Sequence, residues 1–120
     1  MQNLDQIRAA AALKQLPIDK PHDFDRSDVV GIPALILTNG LLSAAAYCCE
    51  QDKDARKGMK KAFEGIAGHL KERGIIATTS LIDDLSQKDS LTLQRATAEA
   101  LAFLAYLKRF ALKKAGTNAA

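Results

Sequence analysis

The residues able to do chemistry in this chain are few: Cys48 and Cys49, His22 and His69, the Asp83–Asp84 pair, and two clusters of bases. Nucleophilic catalysis needs a thiol or hydroxyl beside a base. The two cysteines instead sit in an apolar run, where a thiol behaves as a small inert hydrophobe. Two cysteines and two histidines bring zinc to mind, but adjacent helical cysteines point about 100° apart. Neither histidine stands at finger-like spacing. Asp83 and Asp84 are expected to cap or solvate a short helix rather than hold a cation. A glycine-rich phosphate loop is missing, since Asn39-Gly40 and Gly65-x-x-Gly68 both fall inside helical patterns. Helical ribonucleases of the HEPN type place Arg and His five apart, and here Glu64 and Pro17 occupy those places before His69 and His22. The expectation is therefore no enzyme, no cofactor, no metal and no small-molecule substrate.

The bases are more informative. Arg56, Lys57, Lys60 and Lys61 make two i,i+4 pairs and cover an arc of about 140° on a helical wheel, one continuous face. Lys108, Arg109, Lys113 and Lys114 form a second cluster near the end of the chain. A four-residue step is about 6 Å along a helix, comparable with phosphate spacing along a nucleic-acid strand. Either cluster alone reads as a solvated face; two in one small chain favour an anionic partner. The net charge is only +3, yet residues 53–74 and 91–120 each carry +4 against a mildly acidic remainder. Arg56, Lys57, Lys60, Lys61, Lys108, Arg109 and Lys113 are the candidate nucleic-acid contacts. Few of the six aromatic side chains are free to stack on bases, so contact is expected with the backbone and without sequence preference.

The elements that must carry these faces are helices. Hydrophobic residues are 48% of the 120, but aromatics are only 5% and Trp is absent, so the core is built of Leu, Ile and Ala, which favours helix over sheet. Residues 3–16 read as a first helix capped by Asn3 and ended by Pro17, followed by a loop over 17–26. A long apolar helix follows, opened by Asp25 or Ser27 and running to about Gln51, with Pro33 as its kink or its first turn. Within it, Asn39 and Gly40 are expected to pack against the final helix, glycine giving room for a crossing backbone. Asp52 or Asp54 opens a third helix, 54–72, with a stripe of Met59, Ala62, Phe63, Ile66, Ala67 and Leu70, stopped at Gly74. Ile75 and Ile76 read as buried, Thr79 as the cap of a short helix around Ser80–Leu85, and Asp89 or Ser90 as the start of a last helix reaching about Ala115. The result is one all-α domain over 1–120, a compact bundle of four long helices and one short one, with 116–120 frayed. Val29 to Cys49 is uncharged for 21 residues, but its Gly, Pro and Asn and its acidic flanks point to a buried helix, not a membrane span. No secretory signal opens the chain and the paired cysteines suit a reducing cytoplasm.

Two segments carry a family resemblance. Residues 33–47, PALILTNGLLSAAAY, resemble the "LPALI-x-x-NGL" helix of the small subunit of the type III-B CRISPR Cmr effector complex, and residues 98–111, AEALAFLAYLKRFA, are similar to that family's "EAL-x-FL-x-WLKRFA" helix. The opening Leu4-Asp-Gln-Ile-Arg-Ala-Ala fits its first helix. Tyr106 stands where the family often has Trp, and Ile32 where Leu is usual. The resemblance implies an all-helical, non-catalytic subunit that stacks beside a filament of backbone subunits and lines the groove where target RNA pairs with CRISPR RNA, cleavage belonging to the backbone subunit. Its partners are then the other Cmr subunits and the guide–target duplex region. The alternative reading is a bacterial helical adaptor that docks through apolar helices and binds no nucleic acid.

Overall fold

A computed structural model describes residues 2–15, 26–49 and 57–119, with the backbone alone for 26, 57 and 112–119. The expected loop over 17–26, apart from Arg26, lies outside the described residues, as do the Asp52 or Asp54 cap, His22 and Arg56. The described residues form seven helices: α1 (Leu4–Lys14), α2 (Arg26–Val30), α3 (Ile32–Asn39), α4 (Leu41–Cys48), α5 (Lys57–Glu72), α6 (Leu81–Leu85) and α7 (Ser90–Ala119). Among these residues no strand occurs, and the all-helical bundle stands as expected.

α1 begins where Asn3 accepts from the Gln6 amide at 2.9 Å while the Gln6 side chain accepts from the Asn3 amide at 2.9 Å. This reciprocal box satisfies two amides that would otherwise lack acceptors. The stripe it presents buries Ala12 and leaves Leu13 half exposed.

The expected long apolar helix is instead three helices, with breaks at Gly31 and Gly40. Gly31 makes a turn between α2 and α3, which places Pro33 in the first turn of α3, where its missing N–H has no helical acceptor to lose. Gly40 adopts φ 88° and ψ 158°, a conformation a Cβ forbids, and both ends α3 and opens α4. Its amide still donates to Ile36 O at 2.8 Å and its carbonyl accepts from Ala44 at 3.0 Å, so the break costs few backbone hydrogen bonds. The expected packing of Asn39 and Gly40 against the last helix is corrected by this geometry. Both residues are exposed, and a Cβ on Gly40 would meet nothing within 4 Å. Glycine is required here by backbone conformation, not by a crossing helix.

α5 ends as expected at Gly74. With φ 75°, Gly74 donates to Lys71 O while Ile75 donates to Leu70 O, the paired bonds of a Schellman stop. Ile75 and Ile76 are buried. Ser80, not Thr79, precedes α6, and it makes no side-chain cap bond. Asp84 organises this turn from within its own helix, accepting from the amides of Ala77 at 2.8 Å and Thr78 at 3.3 Å. Asp89 opens α7 by accepting from the Thr92 amide at 2.8 Å, and a bond from the Thr92 side chain, seconded by this one, holds its carboxyl below the usual range. α7 continues one turn past the expected end near Ala115.

The core gathers around α7, which packs against α1, α2, α3 and α5, while α4 closes over α5 and α6. Ala96, Ala100, Phe103, Leu104, Leu107 and Ala111 of α7 are buried against Ala62, Phe63, Ile66, Ala67 and Leu70 of α5 and Ile32 and Ile36 of α3. One polar cluster lies inside this core. Glu99 of α7 takes a forked pair of bonds from Arg8 of α1, Nε to Oε2 and Nη2 to Oε1, both 2.8 Å. Nε2 of His69 on α5 lies 2.8 Å from Oε2 as well. A carboxylate only accepts, so this nitrogen carries the proton. The His69 ring stacks on Phe103 with centroids 5.0 Å apart. The Arg8 fork, seconded by His69, holds the Glu99 carboxyl down to about 2.

Candidate nucleic-acid interface

α5 is strongly two-sided. Ala62, Phe63, Ile66, Ala67 and Leu70 are buried, and the opposite arc carries Lys60, Lys61, Glu64, Lys71 and Glu72. Lys60 is exposed; Lys61 is half-buried and lies 3.7 Å from Glu64 Oε2, one turn on. Lys57 opens the helix, its side chain outside the described residues. On α7, Lys108 and Arg109 are exposed neighbours, and Lys113 lies on the helical backbone with its side chain undescribed. The fold thus joins Lys60 to Lys61 on one outward face and Lys108 to Arg109 on another, on two helices that meet through their buried sides.

Two bases escaped the sequence reading. Lys71 shares the outward face of α5, and Arg95 is exposed on α7 fourteen residues before Arg109, about 21 Å along the axis. Residues at multiples of seven share a helix face, so the 95–102–109 spacing held that signal. The Arg8–Glu99–His69 cluster was also missed. Its signal was one acid amid the apolar positions of α7, and a histidine whose helical position falls between Ile66 and Leu70.

The electrostatics of the two faces are simple. Lys60, Arg95, Lys108 and Arg109 make no ion pair in the described structure, in contrast to Arg8 with Glu99, Lys61 with Glu64, and Lys88 with Asp84. Between Leu91 and Ala111 the single carboxylate is Glu99, and it is turned inward, 7% exposed. The outward side of α7 therefore carries bases and no carboxylate of its own along this stretch, which suits phosphate. A larger cleft of about 530 Å³ between α4, α5 and α6 has Glu64 and Asp83 on its walls and suits an anion poorly.

The other candidate groups are committed elsewhere. Cys48 is buried, and burial pushes the half-buried Cys49 thiol up, away from the reactive thiolate. His69 is 3% exposed and engaged by Glu99. Among the described residues, no group of three or more His, Cys, Asp or Glu is placed to hold a metal ion, and no helix is long and apolar enough to cross a membrane.

A family model described as CRISPR-associated protein (Cas_Cmr5) matches residues 4–113. The chain belongs to this Cas_Cmr5 family. It is the small-subunit family of the type III-B Cmr complex, to which the 33–47 and 98–111 segments pointed. The match runs from the first residue of α1 into the last turns of α7, so both basic faces lie inside it. Comparison with curated proteins and with solved structures finds no match.

Proposed function

We propose that this chain is the non-catalytic small subunit of a CRISPR RNA-guided effector complex of type III-B, working in the cytoplasm in antiviral defence. It stacks along the filament of backbone subunits and contacts target RNA through the outward faces of α5 and α7. The observation that carries this reading is the set of exposed cations that make no ion pair among the described residues, Lys60, Arg95, Lys108 and Arg109, on a Cas_Cmr5 chain whose only carboxylate along that stretch of α7 is buried. Exposed cations already surrounded by water lose little on meeting a phosphate and gain from counterion release. Leu37 and Leu91, each 73% exposed, favour docking on protein neighbours elsewhere on the surface. Target cleavage falls to the backbone subunit in this reading, and no cofactor is needed.

The test is RNA affinity of the assembled complex across a salt series, for wild type, Lys60→Glu and Arg109→Glu. Each lost phosphate contact is expected to weaken binding and reduce the slope of log affinity against log salt by about one unit, whatever the RNA sequence. Unaltered affinity and slope in both variants, with normal assembly, overturn the proposal. If Arg109→Glu blocks assembly, Arg109 is a docking residue and the RNA contact rests on α5.

A further inference from the structure

The outward side of α7 holds a second cleft, of about 350 Å³, lined by Ala102, Ala105, Tyr106 and Arg109. The two alanines form a low floor, since neither side chain rises above its Cβ. Tyr106 stands four residues from Ala102, and Arg109 three from Tyr106 and four from Ala105, spacings that bring helical side chains together. The Tyr106 ring is half-buried and braced by Phe110, with centroids 6.1 Å apart and the planes tilted by 46°. The guanidinium of Arg109 is planar, exposed and without an ion-pair partner among the described residues. The cleft lies at the small end of ligand-binding volumes.

We infer that this cleft takes one unpaired RNA base, stacked on Tyr106 and covered by the Arg109 guanidinium. This rests on the reading of the chain as an RNA-contacting subunit and adds to it a base contact that the scarcity of aromatics argued against. An apolar floor between an aromatic ring and a guanidinium plane matches a nucleobase, whose faces are apolar and whose stacking is largely independent of sequence. Charge decides between RNA and a protein side chain. An apolar protein group pressed into the cleft would bury Arg109 unpaired, which is costly, whereas a nucleotide brings its own phosphate. Arg95 lies on the same side, about 10 Å from Ala102 along the axis, within reach of the adjoining backbone.

The experiment uses the full chain and a short single-stranded oligouridine carrying one 2-aminopurine, whose fluorescence is quenched by stacking. Wild type is expected to bind with quenching. Tyr106→Leu, which keeps apolar packing on Phe110, is expected to lose the quench and roughly fivefold or more in affinity with an unchanged salt slope, because no charge is lost. Tyr106→Phe is expected to retain both. Arg109→Lys, at an exposed position where folding is not at issue, is expected to keep the slope and weaken the quench. Absence of quenching in wild type, or unchanged affinity and quench in Tyr106→Leu, overturns the inference. If Lys60→Glu still lowers the salt slope of the assembled complex in that event, the stacking site falls while the RNA-contact reading survives; if it does not, both fall.

Discussion

Glu99 and Arg109 stand ten residues apart on α7 and are treated in opposite ways by the same helix. Glu99 faces inward, where it is bonded by the Arg8 fork and by His69, all at 2.8 Å. Arg109 faces outward and is bonded by no carboxylate among the described residues. A buried carboxylate without its donors would cost several kcal/mol, so the core admits this charge only with its partners in place. An exposed guanidinium is solvated already and needs no partner for the fold to stand. The difference separates charge that serves assembly of the fold from charge left available for something outside it.

The comparison breaks most visibly if Glu99 proves dispensable. Glu99→Ala leaves Arg8 and His69 facing a cavity and is expected to cost about 3 kcal/mol or more, a fall in Tm of roughly 10 °C or more by calorimetry. A change within about 0.5 kcal/mol would mean the inner cluster is ornamental. Acid sharpens the same point. The Glu99 carboxyl titrates near 4.5 when unfolded and is held down to about 2 when folded. Its contribution is complete above the unfolded value and is lost as pH falls through the folded one. Wild-type denaturation midpoints should therefore decline between about pH 4.5 and 2, and Glu99→Gln should flatten that limb. Gly40→Ala tests a position free of charge altogether. It is expected to cost about 1–2 kcal/mol through its positive φ, whereas Gly31→Ala, with helical dihedrals and open space, should be neutral or slightly stabilising. The smallest effect is expected outside. Lys60→Ala and Arg109→Ala should leave stability within about 0.5 kcal/mol while each still lowers the salt slope of RNA binding.

Much of the fold was legible because its signals are local. The Asn3 cap, the Gly74 stop, the buried Ile75 and Ile76 and the stripe on α5 all follow from residue type and a 3.6-residue period. Gly40 misled, because a glycine in an apolar run reads equally as a close-packing site or as a break. Only the backbone dihedral separates the two. The outward placement of Lys60, Lys108 and Arg109 was legible from the same period. The cluster that ties α1 to α5 and α7 was not, since nothing in a helical wheel says which distant base meets which buried acid. The cleft at Tyr106 was hidden for a related reason: an all-apolar stretch of α7 gives no sign of which side stays uncovered.

The Arg8–Glu99 fork spans 91 residues of chain, and this fixes a moment in synthesis. At roughly 5–20 residues per second, roughly 5–20 s separate the emergence of the two side chains from the ribosome. Through that interval α1 has neither its ionic partner nor the α7 surface against which it packs. A helix of 11 residues is marginal in isolation. α1 is thus fixed only after α7 has been made, long after its own synthesis.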